Sequence, residues 1–197
     1  MQEKILTALT LEMKDRGLKF TMDDLARCLG ISKRTLYEHF SSKEQLITSL
    51  LEHSFAEVES KRAEISNNPA LDIPTKLQKM LTVRSVVWME GSEHIVLDIK
   101  NQMPKQWQLI KNHTDEQGQM FDYLLQQGID DGTLRPVFLP AIRTLIAGSI
   151  SEFANIDFLL THKTTFYEMM SIIVDIIING IKNPDFTSSA QGGKHSE

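Results

Sequence analysis

The chain has 197 residues, 41% of them hydrophobic, and its 21 Lys+Arg against 26 Asp+Glu leave a formal net charge of −5. That length supports more than one small hydrophobic core, while the acidic balance excludes indiscriminate attraction to polyanions or to an anionic membrane surface. A single cysteine, Cys28, excludes an intramolecular disulfide and any paired-cysteine metal motif, and no run reaches the length of about 20 apolar residues that a membrane span needs.

In chain order the spacing predicts helices and connections only, since no segment alternates with period two for long enough to suggest a sheet. A first helix, about Gln2 to Asp15, carries Ile5, Leu6, Leu9 and Met13 as a buried stripe and ends at Gly17. Glu3, Lys4, Glu12 and Lys14 within its turns do not fit the apolar core of a signal peptide, so a cytoplasmic chain is expected. Thr21 then stands as an N-cap, with Asp23 and Asp24 in the first turn, where the helix dipole favours negative charge. Met22, Leu25, Ala26 and Leu29 share one face of that helix. Gly30 stops it, because a left-handed cap costs glycine little, and Ser32 caps a second, very short helix. Leu36 and Phe40 are the only core anchors there, so Lys33, Arg34, Thr35, Tyr37, Glu38 and His39 point outward. Cys28, beside Leu29, reads as a small buried or half-buried side chain, with a redox sensor as the alternative.

Ala26, Gly30 and Leu36 supply a small residue, a turn glycine and an apolar anchor at the offsets that two helices crossing at roughly 90 to 120° require. That is the layout of a DNA-reading helix-turn-helix, with double-stranded DNA as the expected partner. Residues 1 to 45 carry a net charge of +1 and the remainder −6, which concentrates positive charge at Lys33, Arg34 and Lys43. Lys33 and Arg34, in the first turn of the reading helix, are the candidate base-edge donors, guanine being their best match. Thr35 and His39 could reach bases or backbone, and Thr21, Tyr37 and Lys43 are candidate phosphate ligands. Glu38 could accept from cytosine, or serve as a solvated spacer or as an internal partner for a basic side chain. The Tyr37 ring could also pack on the first helix without giving up a phosphate.

Ser42 begins a capping box with Gln45, and Leu46, Ile47, Leu50, Leu51, Phe55 and Val58 carry a long helix to about Ile65. Asn67-Asn68-Pro69 breaks it. Pro74, just inside a new helix, restarts the pattern through Leu77, Met80, Leu81, Val83 and Val87 as far as Gly91. A short segment from Glu93 to Asn101 precedes Pro104, which opens a helix to about Gln127. Asp130-Asp131-Gly132 is a turn, and Pro136 and Pro140 frame the next start.

The last two helices are expected over about Leu139 to Leu160 and Thr165 to Lys182. Ile172, Ile173, Val174, Ile176, Ile177, Ile178 and Ile181 run nearly all the way round the final one. Such a helix needs cover on most sides, which points to a partner subunit, a fully buried internal helix being the alternative. Leu145, Ile146, Ser149, Ile173, Ile176 and Ile177 are the expected homodimer contacts. Two reading heads on a two-fold axis can meet major-groove faces about 34 Å or a multiple apart, so the DNA site should be pseudo-palindromic.

Trp88, Met89, Met103, Trp107, Met120, Phe121 and Phe153 offer adaptable surface for an unidentified small hydrophobic or flat cationic ligand, or simply form core. His94 and Asp98, four apart, could join His113 around a metal. Without cysteine or a Glu-x-x-His pair, hydrogen-bonded histidines are favoured, and neither metal nor cofactor is expected. The chain has no Gly-x-Ser-x-Gly elbow, no phosphate-cradling glycine loop and no His-Glu-x-x-His, so an enzyme is not expected. The fold class is therefore all-α. A helix-turn-helix domain over residues 1–46 is joined by a long helix to a helical effector and dimerisation domain over 47–182, and a disordered tail covers 183–197.

Ala26, Gly30, Ile31, Ser32, Thr35, Leu36, Tyr37, His39, Phe40, Lys43, Glu44 and Leu46 fit the N-terminal signature of the tetracycline-repressor (TetR) family, and over about its first fifty residues the chain resembles that family. The resemblance implies a homodimeric regulator, most simply a repressor, with a four-helix interface built from the last two helices of each chain. It also implies release by a ligand that shifts the long connecting helix and spreads the reading heads. A family member can instead act as a coactivator that binds protein. Arg34 departs from the small residue that many relatives carry, adding a base or phosphate contact or altering the docking angle. Met1-Gln2-Glu3-Lys4 provides almost no basic arm, so no minor-groove contact is expected.

Overall fold

The computed structural model describes residues 1–83, 93–153 and 155–185. Among them the helices are α1 (Gln2–Arg16), α2 (Met22–Leu29), α3 (Lys33–His39), α4 (Lys43–Ser66), α5 (Ile73–Leu81), α6 (Glu93–Gln102), α7 (Pro104–Asp130), α8 (Leu139–Phe153), α9 (Ile156–His162) and α10 (Phe166–Ile181), with a 3-10 turn at Gly17–Lys19. No strand forms among the described residues, apart from an isolated antiparallel bridge between Leu134 and Lys182.

Local chemistry sets the ends of the reading pair. Thr21 and Asp24 form a reciprocal capping box: Asp24 N donates to Thr21 Oγ1 at 3.1 Å and Thr21 N to Asp24 Oδ2 at 3.0 Å. Gly30 takes φ 65° and ψ 28°, the left-handed conformation that a side chain would strain. Its N–H donates to the Arg27 carbonyl and that of Ile31 to the Ala26 carbonyl, which closes α2. Ser32 Oγ accepts from Thr35 N at 3.0 Å and starts α3.

Two apolar clusters follow. One joins Ile5, Leu9 and Met13 of α1, Leu25 of α2, Leu36 of α3 and Leu46, Ile47 and Leu51 of α4, and it extends to Ile95 and Ile99 of α6 and Ile110 of α7. The other gathers Leu77 of α5, Phe121, Leu124 and Leu125 of α7, Ile142 and Ile146 of α8, and Val174, Ile178 and Ile181 of α10. Each such side chain removed from water contributes about 1.5–3 kcal/mol. The 24 residues of α4 make a rod about 36 Å long that runs from the first cluster towards the second.

Several boundaries differ from expectation. The anticipated single helix from Leu139 to Leu160 is broken: α8 ends at Phe153 and Asn155 caps α9, its Oδ1 accepting from Asp157 N at 3.0 Å. The break lets the Phe158 ring return to 5.6 Å from that of Phe153. Ser42 does cap α4, but Gln45 Oε1 accepts from Ser41 N at 2.6 Å rather than from Ser42, so the box is shifted by one residue. α7 runs a turn beyond Gln127, and α5 stops at Leu81 with Thr82 as its C-cap. Val87 and Gly91, expected in that helix, lie outside the described residues. Cys28 is exposed, not buried, because it falls beyond the edge of the buried stripe that Met22, Leu25 and Ala26 form on α2. Asn183, expected to open the tail, is tied down: its N donates to Thr133 O at 3.0 Å and its Nδ2 to Gly132 O at 2.8 Å. Residues 186–197 lie outside the described residues.

Candidate nucleic-acid interface and effector cavity

The short helix α3 presents its polar side to solvent. Lys33, Arg34, Tyr37 and Glu38 are exposed, while Thr35 and His39 are half-buried beside the anchors Leu36 and Phe40. Lys33 Nζ pairs with Asp23 Oδ2 at 2.5 Å and Arg34 Nε with Glu38 Oε1 at 3.1 Å. Both pairs are open to water, so each holds its cation by no more than about 1 kcal/mol and yields readily to a phosphate or a base edge. Glu38 therefore fills the internal-partner role among its alternatives. The Thr21 hydroxyl donates to Asp24 Oδ2 at 2.7 Å. Hydrogen bonds from that side chain and from the Thr21 backbone, with Arg16 and Arg27 nearby, hold the Asp24 carboxyl below its ordinary range. Lys43 is the inward-turned member of the set. Its ammonium donates to Phe20 O at 2.8 Å and to Leu18 O, and burial pulls it below the ordinary lysine range, Glu44 partly opposing.

In the other half of the molecule a cavity of about 520 Å³ opens between α4, α5, α6, α7, α8 and α10. Of the residues expected to line a pocket, Trp107 and Phe121 do. Met103 is instead buried in the cluster that supports the reading head, Phe153 in the second cluster, and Met120 faces solvent. Trp88 and Met89 lie outside the described residues. Arg62, Lys100, Lys111 and Arg143 also line the cavity and were not foreseen. Charged residues on helices pass for solvated faces, although one signal was present. Arg62 stands four residues after Val58 and three before Ile65, on the apolar stripe of α4.

The histidines separate. His94 and Asp98 lie against Gly17, and Leu18 N points at Asp98 Oδ2 at 3.5 Å. His113 stacks on Phe55 with ring centroids 4.1 Å apart, its Nδ1 3.4 Å from Glu59 Oε1. Burial, with Glu59 opposing, lowers its pKa. Among the described residues, the side chains that converge as a metal could use them are Glu59, His113 and Glu116, whose ligand atoms lie within 4.8 Å of one another.

Of the expected dimer contacts, Leu145 and Ile176 are exposed at 56% and 59%, and Ile173 and Ser149 are half-buried. Ile146 and Ile177 are buried inside the protomer's own core, which corrects their assignment to an interface. Ile172, one turn before Ile176 and exposed at 52%, extends the open apolar face instead. Among the described residues no helix is long and apolar enough to cross a membrane.

An exposed cationic helix held across a capped partner, on a rod that leads to a hollow helical body, defines a helix-turn-helix regulator of transcription. Residues 5–50 match the family model described as bacterial regulatory proteins, tetR family. The HTH-type transcriptional regulator YvaF of Bacillus subtilis (strain 168) is 30% identical over 185 residues, spanning 92% of this chain and 95% of that one. The chain belongs to the TetR family of bacterial transcriptional regulators. The HTH-type transcriptional repressor KstR2 of Mycolicibacterium smegmatis is 29% identical over 144 residues, 68% of each chain. The fold is shared with a regulator from Saccharomonospora viridis solved in complex with choline, at a TM-score of 0.74 and 20% identity, covering 92% of this chain and 97% of that one.

Proposed function

We propose that the protein is a homodimeric repressor released from a pseudo-palindromic operator by a small, largely apolar effector. The observation that carries this reading is that α4 touches both sites: Lys43 at its start grips the reading head, and Arg62 near its end lines the cavity. An effector that moves the far end of such a rod alters the spacing of two heads that must fit one duplex. The repressor KstR2 and the choline-bound neighbour support repression and small-ligand binding as the starting expectation. Residues 1–46 act as the reading head and 47–182 as the effector and dimer unit. Lys33, Arg34, Thr35 and His39 face the bases, and Thr21, Tyr37 and the remaining proton of Lys43 face phosphates. The partner subunit covers Leu145, Ile172, Ile173 and Ile176, and the protein works in the cytoplasm, where its DNA is.

The test is fluorescence polarisation of the full chain on palindromic duplexes drawn from the region upstream of its own gene, across a salt series. Tight, sequence-selective binding whose affinity falls with salt supports the reading. Absence of a shift at low salt, together with recovery of a protein partner, would establish the coactivator alternative in its place.

A further inference from the structure

We propose that the cavity binds an amphiphile with an anionic head, its aliphatic or alicyclic body lying on the apolar wall and its carboxylate or phosphate facing Arg62. This deepens the effector reading above and rests on it for the consequence at the DNA. The binding itself is a separate matter.

Two observations lead there. The first is sign. Among the described lining residues Arg62, Lys100, Lys111 and Arg143 face a single carboxylate, Asp115, in a chain whose net charge is −5. The cavity thus opposes the charge of the molecule around it, and low-dielectric walls focus that potential on anything that enters. The second is Arg62 itself. Its Nε donates to Met80 O at 3.1 Å and its Nη1 to Gln117 Oε1 at 2.6 Å, both neutral acceptors. Among the described residues it forms no ion pair with a carboxylate, although burial bears heavily enough on it to lower its pKa. A guanidinium stays protonated in proteins, so a half-buried charge stands without a counterion among the described residues, a state that costs stability until an anion arrives.

Arg143 contrasts with it. That side chain is already paired, Nη1 donating to Asp122 Oδ2 at 3.2 Å, and it fits because Gly118 leaves room: a Cβ there would lie 2.7 Å from Nη2. The head group therefore belongs to Arg62, with Lys111 contributing field. Val96, Leu97, Phe121 and Ile150 supply the apolar wall for the body. A cationic head would meet the like charges of Arg62, Lys100 and Lys111, and a neutral ligand would leave Arg62 without a counterion.

The experiment titrates the full-length protein with decanoate, decanol, decyltrimethylammonium and decanoyl-CoA, reading thermal shift and tryptophan fluorescence, since Trp107 stands in the wall. Decanoate is expected to bind about tenfold more tightly than decanol, and decyltrimethylammonium not to bind. Decanoyl-CoA binding more tightly than decanoate assigns the head to phosphates, and the reverse assigns it to a carboxylate. Arg62→Met keeps an apolar stem and removes the charge. It should melt no lower than the parent and lose the preference for decanoate over decanol. If that variant does not fold, Lys111→Gln, on an exposed position of α7, should lower the preference about threefold. No binding of decanoate, equal binding of decanol or of the ammonium, or an unchanged preference in the variants would overturn the proposal. Operator affinity is measured separately. Decanoate that binds through Arg62 without weakening DNA binding leaves the anion site standing and overturns release by an effector.

Discussion

The Lys43 ammonium donates to the Phe20 carbonyl at 2.8 Å and lies 4.4 Å from the centre of the same residue's ring. With its further bond to Leu18 O, it fastens the first turn of α4 to the 3-10 turn after α1, so the rod and the reading head move together. Lys43→Met should lower stability by about 1.5–3 kcal/mol, the range for hydrogen bonds to a charged group, and weaken binding to every DNA sequence alike. Circular-dichroism melting checks the first effect. A variant that melts like the parent and loses only DNA affinity would show that the ammonium serves the phosphates alone.

Among the described residues, the contact that holds the Arg34 side chain is its bond to Glu38. Arg34→Ala is expected to relax base preference at one operator position by about 1–3 kcal/mol, whereas Tyr37→Phe should weaken all sequences by a similar factor. Polarisation across a panel of single-base operator variants separates the two. Equal loss of preference from both changes would reverse the assigned roles.

Ile176 and Ile177 are neighbours in sequence with opposite surroundings, one exposed and one in the core. Ile176→Glu, alone or with Leu145→Glu, should yield a folded monomer by sedimentation. Ile177→Ala should instead cost about 2–5 kcal/mol within each protomer. A dimer that survives both glutamates would place the subunit contact elsewhere.

His113 has a pKa below the ordinary histidine value, because burial against Phe55 disfavours its charged form. The sign follows. Above the unfolded-state value both states are neutral and nothing is gained or lost. As pH falls through about 6.5 the unfolded chain takes the proton first. Folding stability then declines until the native group also titrates. His113→Phe keeps a ring on Phe55 and removes the proton, so its melting temperature should fall less than the parent's between pH 7.5 and pH 5.5. Identical pH profiles would deny His113 any part in acid sensitivity.

The reading pair is legible in the sequence because its signals are local. The Thr21 cap, the left-handed Gly30 and the Ser32 cap are each settled by groups within four residues, and Leu25, Leu36 and Leu46 lie on stripes that one helical period defines. The same range covers the rod of α4 and the all-helical class. Asn155 shows where local signals are too weak: a cap inside an apolar run reads as one more helical residue until Phe158 has a partner to return to. The cavity depends on longer reach. Which of two apolar faces meets which helix is decided by packing between residues tens of positions apart, so Ile146 and Ile177 pass for interface although both are core. Arg62 likewise acquires its meaning only when α5 and α7 close over it, because burial of a charge depends on neighbours that its own helix does not supply.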